Sequence, residues 1–316
     1  MAGAKLRVVF AYRAIQKARG SKIMRVDQLC AMAALHLGHL YDFEQVQLHG
    51  AGKPRQQRKM IEHLRGAIVI FLKGSARNFD RDGMDALRHA VRAICVDYLD
   101  SPFAGRFFRY VDTHIVASLT GTAALRNAVA GIAPDDLWSD ATVAHLTHHA
   151  DPRLMAGQSA GSDMRVAYFG MAENTFVPEE IAAHIAVPDD DIAFRDMLLM
   201  MENTHLHYAI RSSIPLYLDG KRIYKPFTKG FNAARAGANV LVDRAADDAI
   251  AYLGEDYPFL ARSNRAADVV EAFRRAEDAY GGPEWARAAT CMEDVRRRSA
   301  PEAVMRELRA ILARFD

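Results

Sequence analysis

The chain has 316 residues, half of them apolar and 25% charged, which excludes a disordered segment and suggests two domains at ~150 residues each. Basic residues number 41 and acidic residues 39, a formal charge of +2 that is too balanced for a dedicated nucleic-acid binder. The longest apolar run, Ala67–Leu72, falls far short of the ~20 residues needed to cross a bilayer, and three scattered cysteines (Cys30, Cys95, Cys291) form neither a disulfide framework nor a zinc knuckle.

Leu6–Ala11 reads as a buried strand without a secretory pattern, and a cytoplasmic protein is expected. Met24–Leu40 carries apolar residues at helical spacing, and Ala67–Leu72 is a second strand. Asp82 stands where a helix cap belongs, ahead of Met84–Val91. Ala93–Val96, His114–Ser118 and Thr142–Leu146 are further strands, with a helix over Thr122–Val129. The Gly/Ser/Ala-rich stretch Asp151–Asp163 reads as a linker. A second series follows: strand Arg165–Phe169, helix Pro178–Ile185, strand His205–Ile210, helix Phe227–Ala236, strand Asn239–Val242 and a helix from about Ala245. Three helices close the sequence, over Arg265–Tyr280, Pro283–Arg298 and Pro301–Arg314. Strands that are apolar throughout and alternate with helices predict parallel sheets covered on both faces. The expected fold is therefore α/β: two Rossmann-like, doubly wound domains, 1–155 and 156–316, the second with a helical tail. Ligands in such folds sit beyond the carboxyl ends of the strands, and the cleft between two such domains is the expected site.

Several signatures are absent: no G-x-G-x-x-G follows a strand, and there is no P-loop and no G-x-S-x-G elbow. Asp80-Arg81-Asp82 could hold a metal–nucleotide complex, but Asp82 is better explained as a cap, and Asp189–Asp191 is treated in the same way. His145, His148 and His149 with Asp151, or His205 with His207, lack the compact spacing of a zinc site. A substrate-facing role for His148 or His149 suits a strand end better. The run Lys53, Arg55, Arg58, Lys59 reads first as a solvated loop; contact with anionic lipid or a polymeric acceptor is the second reading.

The most informative stretch is His205–Val242. The chain has 32 arginines and only nine lysines, and three of the nine fall at Lys221, Lys225 and Lys229. Pro226 suits the first turn of a helix, Lys225 stands just before it, and Thr228 and Lys229 lie in its first turn. Cations at a helix N-terminus are unfavourable by roughly 0.3–1 kcal/mol each, so two of them there imply an anionic ligand such as a diphosphate.

This segment resembles glycosyltransferases of the GT-B fold. The best-known branch of that group carries Glu-x7-Glu at the helix start. Here Tyr224 and Asn232 occupy the two Glu positions, and Lys225-Pro226, Thr228-Lys229 and Asn232-Ala233 are similar to a less common variant with Lys-Pro-x-Thr-Lys and Asn-Ala. Val166–Gly170 followed by Asn174 looks like the opening strand and glycine turn of the donor domain. His148–Arg153 looks like the end of the acceptor domain, and Ser21–Arg25 like its first loop. The resemblance implies transfer of a sugar from a nucleotide-sugar donor to a glycan, lipid-linked or other acceptor, in the manner of polysaccharide biosynthesis. No metal or other cofactor is implied, nor any nucleic-acid partner. Lys225, Thr228, Lys229 and the helix amides would bind the diphosphate, assisted by Arg211. Gly170 would let the backbone approach the phosphates, and Asn174 and Asn232 would contact the donor. On the acceptor side, Arg13, Lys22, Lys73, Asp97, Asp100, Ser118 and His148 lie beyond strand ends. Asp100 is the first candidate for a general base and His148 the second. A non-catalytic two-lobed nucleotide- or sugar-binding protein and a nucleotide-sugar epimerase of the same fold remain the alternatives.

Overall fold

The structure is a computed structural model that describes residues 5–17, 20–103, 105–138, 140–157, 163–189 and 191–316. Most of the expected linker falls in this range, but its residues 158–162, and the middle residue of the Asp189–Asp191 run, lie outside it. Its contacts divide the chain into two units. One is Met1–His148 with Ile223–Pro226 and Pro301–Asp316; the other is His149–Arg222 with Phe227–Ala300.

The first unit runs β1 (Leu6–Arg13), α1 (Gly20–Lys22), α2 (Leu29–Leu37), β2 (Tyr41–Leu48), α3 (Pro54–Leu64), β3 (Ile68–Leu72), α4 (Arg81–Ala90), β4 (Ala93–Asp97), β5 (Thr113–Val116), α5 (Leu119–Ala130) and β6 (Thr142–His145). A π-helical stretch, Ile23–Gln28, joins α1 to α2. The sheet order is β2-β1-β3-β4-β5-β6, parallel throughout. Alternation along β1 builds a core on each face. Val8 and Phe10 pack with α2, while Val9 and Ala11 pack with residues of α3, α4 and α5. Strand β2 was passed over in the sequence because its Asp42, Glu44 and Gln45 break the apolar run, which an edge strand tolerates. The basic run expected as a loop is α3: Gln57, Ile61 and Leu64 face inward, and Lys53, Arg55, Arg58 and Lys59 stay exposed. The cap of α4 is Asp80, which accepts from Gly83 N at 2.8 Å; Asp82 sits in the first turn.

The second unit runs β7 (Val166–Tyr168), α6 (Glu179–Ala182), β8 (Ile185–Ala186), α7 (Phe194–Glu202), β9 (Leu206–Tyr208), the hairpin β10 (Leu216–Leu218) and β11 (Lys221–Ile223), α8 (Thr228–Ala236), β12 (Asn239–Asp243), α9 (Ala249–Leu253), β13 (Leu260–Ala261), α10 (Ala266–Ala279) and α11 (Pro283–Arg298). Its parallel sheet has the order β13-β12-β9-β7-β8. The hairpin turn is Asp219-Gly220, both at positive φ (50° and 71°), as a tight two-residue turn requires. Its strands are short and largely exposed, so they carry none of the apolar signal that marks the sheet strands.

The last helix, α12 (Pro301–Leu312), departs from the expected tail of the second domain. Its Val304, Met305, Leu308, Ile311 and Leu312 complete the core beneath α2, inside the first unit. An amphipathic helix binds whichever apolar face is left uncovered, irrespective of chain position.

Candidate functional site

Both sheets reverse their winding between two neighbouring strands, the place where doubly wound folds take ligands. In the second unit these strands are β7 and β9. β7 continues through Phe169 to Gly170, and β9 through Ile210 to Arg211. Helix α8 begins at Thr228 with Phe227 at its cap position. No side chain caps its first amides, and its first turn contains no acid. Gly230 is required here because a β-carbon would overlap the Phe227 ring.

Lys229 reaches from this first turn to the β7 terminus. Its ammonium donates to the Phe169 carbonyl and stands 3.9 Å from the centroid of the Tyr168 ring. Burial, with the Arg211 charge adding to it, lowers its pKa to about 7. Among the described residues no carboxylate pairs with Lys229 or with Arg211. Gly170 is part of the same arrangement: a β-carbon there would lie 2.7 Å from Lys229 Nζ and 2.9 Å from Tyr168 Oη. Asn174 is exposed at the end of a short helical turn, and its carbonyl accepts from Ser212 N beside Arg211. Thr228 is partly exposed at the head of α8. The group is a cationic, uncapped helix start suited to an oxyanion.

Two expected donor residues are used otherwise. Asn232 Oδ1 accepts from Asp151 N at 3.0 Å, so it bolts the turn in which Asp151 also holds Arg153. Lys225 separates from Thr228 and Lys229: the Ile223–Pro226 segment belongs to the first unit. There Lys225 Nζ lies 2.5 Å from Asp100 Oδ2, and Tyr224 stacks on Phe103 at 5.7 Å.

In the first unit, Lys73 follows β3 directly and its Nζ lies 2.6 Å from Asp100 Oδ1. Burial opposes ionisation of Asp100, but Lys73 and Lys225 outweigh it and hold the carboxyl well below the usual carboxylate range. A carboxylate so engaged is a weaker proton acceptor than a free one, which counts against the expected role of Asp100 as general base. Asp97 sets this turn. One of its oxygens accepts from Leu99 N at 3.0 Å, and the other pairs with the buried Arg25 at 2.8 Å. Ser118 is the cap of α5, accepting from Gly121 N at 3.1 Å, and is fully buried. Lys22 is paired with Asp27 at 2.6 Å and lies over Tyr12. Arg13 closes a local turn with Gln16. His148 is buried, 4% exposed. His149 is fully buried. Of the other histidines weighed in the sequence, His145 is held by Thr147, His205 by Arg165 N and His207 by the Met201 carbonyl. Among the described residues no His, Cys, Asp or Glu cluster could hold a metal ion, and no helix is long and apolar enough to cross a membrane.

Sequence reasoning missed Tyr168, whose ring lies under Lys229, and the Arg25–Asp97 pair. Tyr168 reads as any residue of an apolar strand, and Arg25 stands in the Ser21–Arg25 stretch with nothing in the sequence to mark its partner.

No family model matches the sequence, and no curated protein matches it. Solved structures do. A glycosyltransferase from Rickettsia africae matches with a TM-score of 0.64 at 9% identity, over 98% of each chain. Sucrose-phosphate synthase from Thermosynechococcus elongatus matches at 0.63 and 12%, over 98% of this chain and 99% of that one. Anabaena HepE, solved in complex with UDP-glucose, matches at 0.58 and 11%, over 98% of this chain and all of the other. At these identities the likeness defines the fold. The chain has the GT-B fold, two Rossmann-like α/β units with a helical C-terminal end, as the resemblance around Lys225–Gly237 implied.

Proposed function

We propose that this protein is a glycosyltransferase that moves a sugar from a nucleotide-sugar donor to a glycan or other acceptor without a metal ion. The observation that carries the reading is the pair Lys229 and Arg211, two cations with no carboxylate partner among the described residues. They stand beside the uncapped start of α8 and the glycine turn after β7. As the bond between the anomeric carbon and the diphosphate breaks, negative charge collects on the leaving oxygen. Fixed cations and amides aimed there stabilise it without reorganising. The anomeric carbon bonds to the acceptor oxygen, whose proton passes to a base; with Asp100 engaged by two lysines, His148 is the remaining candidate. Thr228 and Asn174 line the donor side. The GT-B fold, and a fold relative solved with UDP-glucose, support a nucleotide-sugar donor. The exposed basic side of α3 supports a peripheral contact with an anionic lipid or polymer surface on the cytoplasmic side.

The test is a thermal-shift screen of nucleoside diphosphates and nucleotide sugars in chelator, with wild type beside Lys229→Ala. A ligand at 100 times its Kd stabilises by about 2.7 kcal/mol. A shift that collapses in Lys229→Ala, with diphosphate release that needs an acceptor, supports transfer. No shift overturns the donor site. Binding without release favours a binding protein, and release without acceptor favours epimerisation or hydrolysis.

A further inference from the structure

The first unit carries its own charged group at its own winding reversal. Strands β1 and β3 are the neighbours at which that sheet changes direction, and Lys73 is the first residue after β3. Lys73 has φ 52°, the left-handed region, without being glycine; Leu99, one residue before Asp100, has the same φ. Such backbone is strained for a side-chain-bearing residue, and it is held by built contacts. Gln16 ties down the loop around Lys73, donating to the Leu72 carbonyl at 3.3 Å and accepting from Ser75 Oγ at 2.9 Å. Asp97 pins Leu99 N. The third member, Lys225, arrives on a four-residue excursion of the chain into this unit. It is fastened by Tyr224 over Phe103, and Gly121 has no room for a β-carbon against Tyr224. The three charged side chains are each about a quarter exposed, although Asp100 Oδ1, which faces Lys73, is itself out of solvent. Together they carry one net positive charge.

We propose that Lys73 and Lys225 form an oxyanion subsite of the first unit, in which the Asp100 carboxylate stands where a phosphate or carboxylate of the acceptor binds. The acceptor is thus an anionic molecule, its acidic group gripped by two ammonium groups while Asp100 gives way or shares them. The assignment to the acceptor rests on the transferase reading; the oxyanion subsite does not. A single carboxylate between two lysines at the crevice of a doubly wound sheet is a stand-in for a ligand of the same charge and size. Two strained turns and an imported lysine exceed what a simple surface ion pair needs, since such pairs contribute little.

The experiment titrates inorganic phosphate by calorimetry in the Lys229→Ala background, which silences the donor site whether or not it binds nucleotides. Adding Asp100→Asn vacates the carboxylate charge and is expected to tighten phosphate at least tenfold. Adding Lys73→Met to that variant abolishes the gain, whereas Lys73→Arg keeps most of it. Asp100→Asn with no gain, or a gain that survives Lys73→Met, overturns the proposal. Should Asp100→Asn fold poorly, crystals of the unsubstituted protein soaked in selenate give the second reading. An anomalous peak within hydrogen-bonding distance of Lys73 or Lys225 supports the subsite, and its absence at selenate concentrations that occupy other sites overturns it. Nucleotide binding with no phosphate gain refutes this subsite alone; the reverse result refutes only the donor reading.

Discussion

Lys229 holds its ammonium 2.7 Å from the point where a β-carbon on Gly170 would stand, so the glycine after β7 and the lysine of α8 form one device. The side chain is pinned between the Phe169 carbonyl and the Tyr168 ring, and the missing β-carbon leaves the space that it fills. Gly170→Ala therefore crowds both the ammonium and the Tyr168 hydroxyl, 2.9 Å from the added β-carbon, at a backbone φ of 156° that favours glycine. Nucleoside diphosphate affinity is expected to fall about tenfold, roughly 1.4 kcal/mol, with an unchanged circular dichroism spectrum. Isothermal titration calorimetry beside Lys229→Ala checks it, and an unaltered Kd refutes the coupling.

The titration of Lys229 sets a pH dependence. Its pKa is about 7 in the folded chain against an ordinary 10.5, chiefly because burial disfavours the charge. Between these values the folded protein binds fewer protons than the unfolded one. The ligand-free protein therefore gains stability from this group as pH rises from about 7 to 10.5. A bound diphosphate favours the protonated form. Affinity should then weaken by up to about tenfold per pH unit above 7, and binding at pH 8 should take up close to one proton. Calorimetry in buffers of different ionisation enthalpy reads the uptake, which should vanish in Lys229→Met.

Ser118 distinguishes a capping role from an acceptor role. Its hydroxyl accepts from Gly121 N and is out of solvent. Ser118→Ala should cost about 1 kcal/mol in chemical denaturation, the usual value of a lost cap. KM for the acceptor should stay constant; a selective rise in that KM would return Ser118 to the acceptor site.

Leu308 tests the placement of α12. It is fully buried in the core under α2, with Met305 and Ile311 beside it. Leu308→Ala should destabilise by about 2–5 kcal/mol. In hydrogen exchange the loss of protection should appear in β1, β3 and α2 rather than in α10 and α11. Protection lost only in the latter pair would refute the packing.

Much of this was legible in the residues. Unbroken apolar strands such as Ala67–Leu72 can lie only in a sheet covered on both faces, so the α/β class and its parallel strands followed from patterning. Helix α8 was readable from Pro226 before it and Gly237 after it, the latter at φ 79° where a left-handed cap ends a helix. Lys225 just ahead of the helix and Lys229 in its first turn raised the expectation of an anion. Strand β2 and the β10–β11 hairpin were not readable, because edge and exposed strands keep polar residues that erase the signal.

Sequence alone determined the class of fold, because that depends on local periodicity, and charge against a helix end raised the expectation of an anion at the Lys229 segment. The tertiary structure alone decided where each charge is spent. Lys225 and Lys229 are four positions apart, yet the first pairs with Asp100, 125 residues away, in one unit and the second with the β7 turn in the other. Side-chain partnership follows from which loops meet beyond the strand ends. Nothing in local spacing encodes that meeting, since it is the joint outcome of burying two sheets and one returning helix.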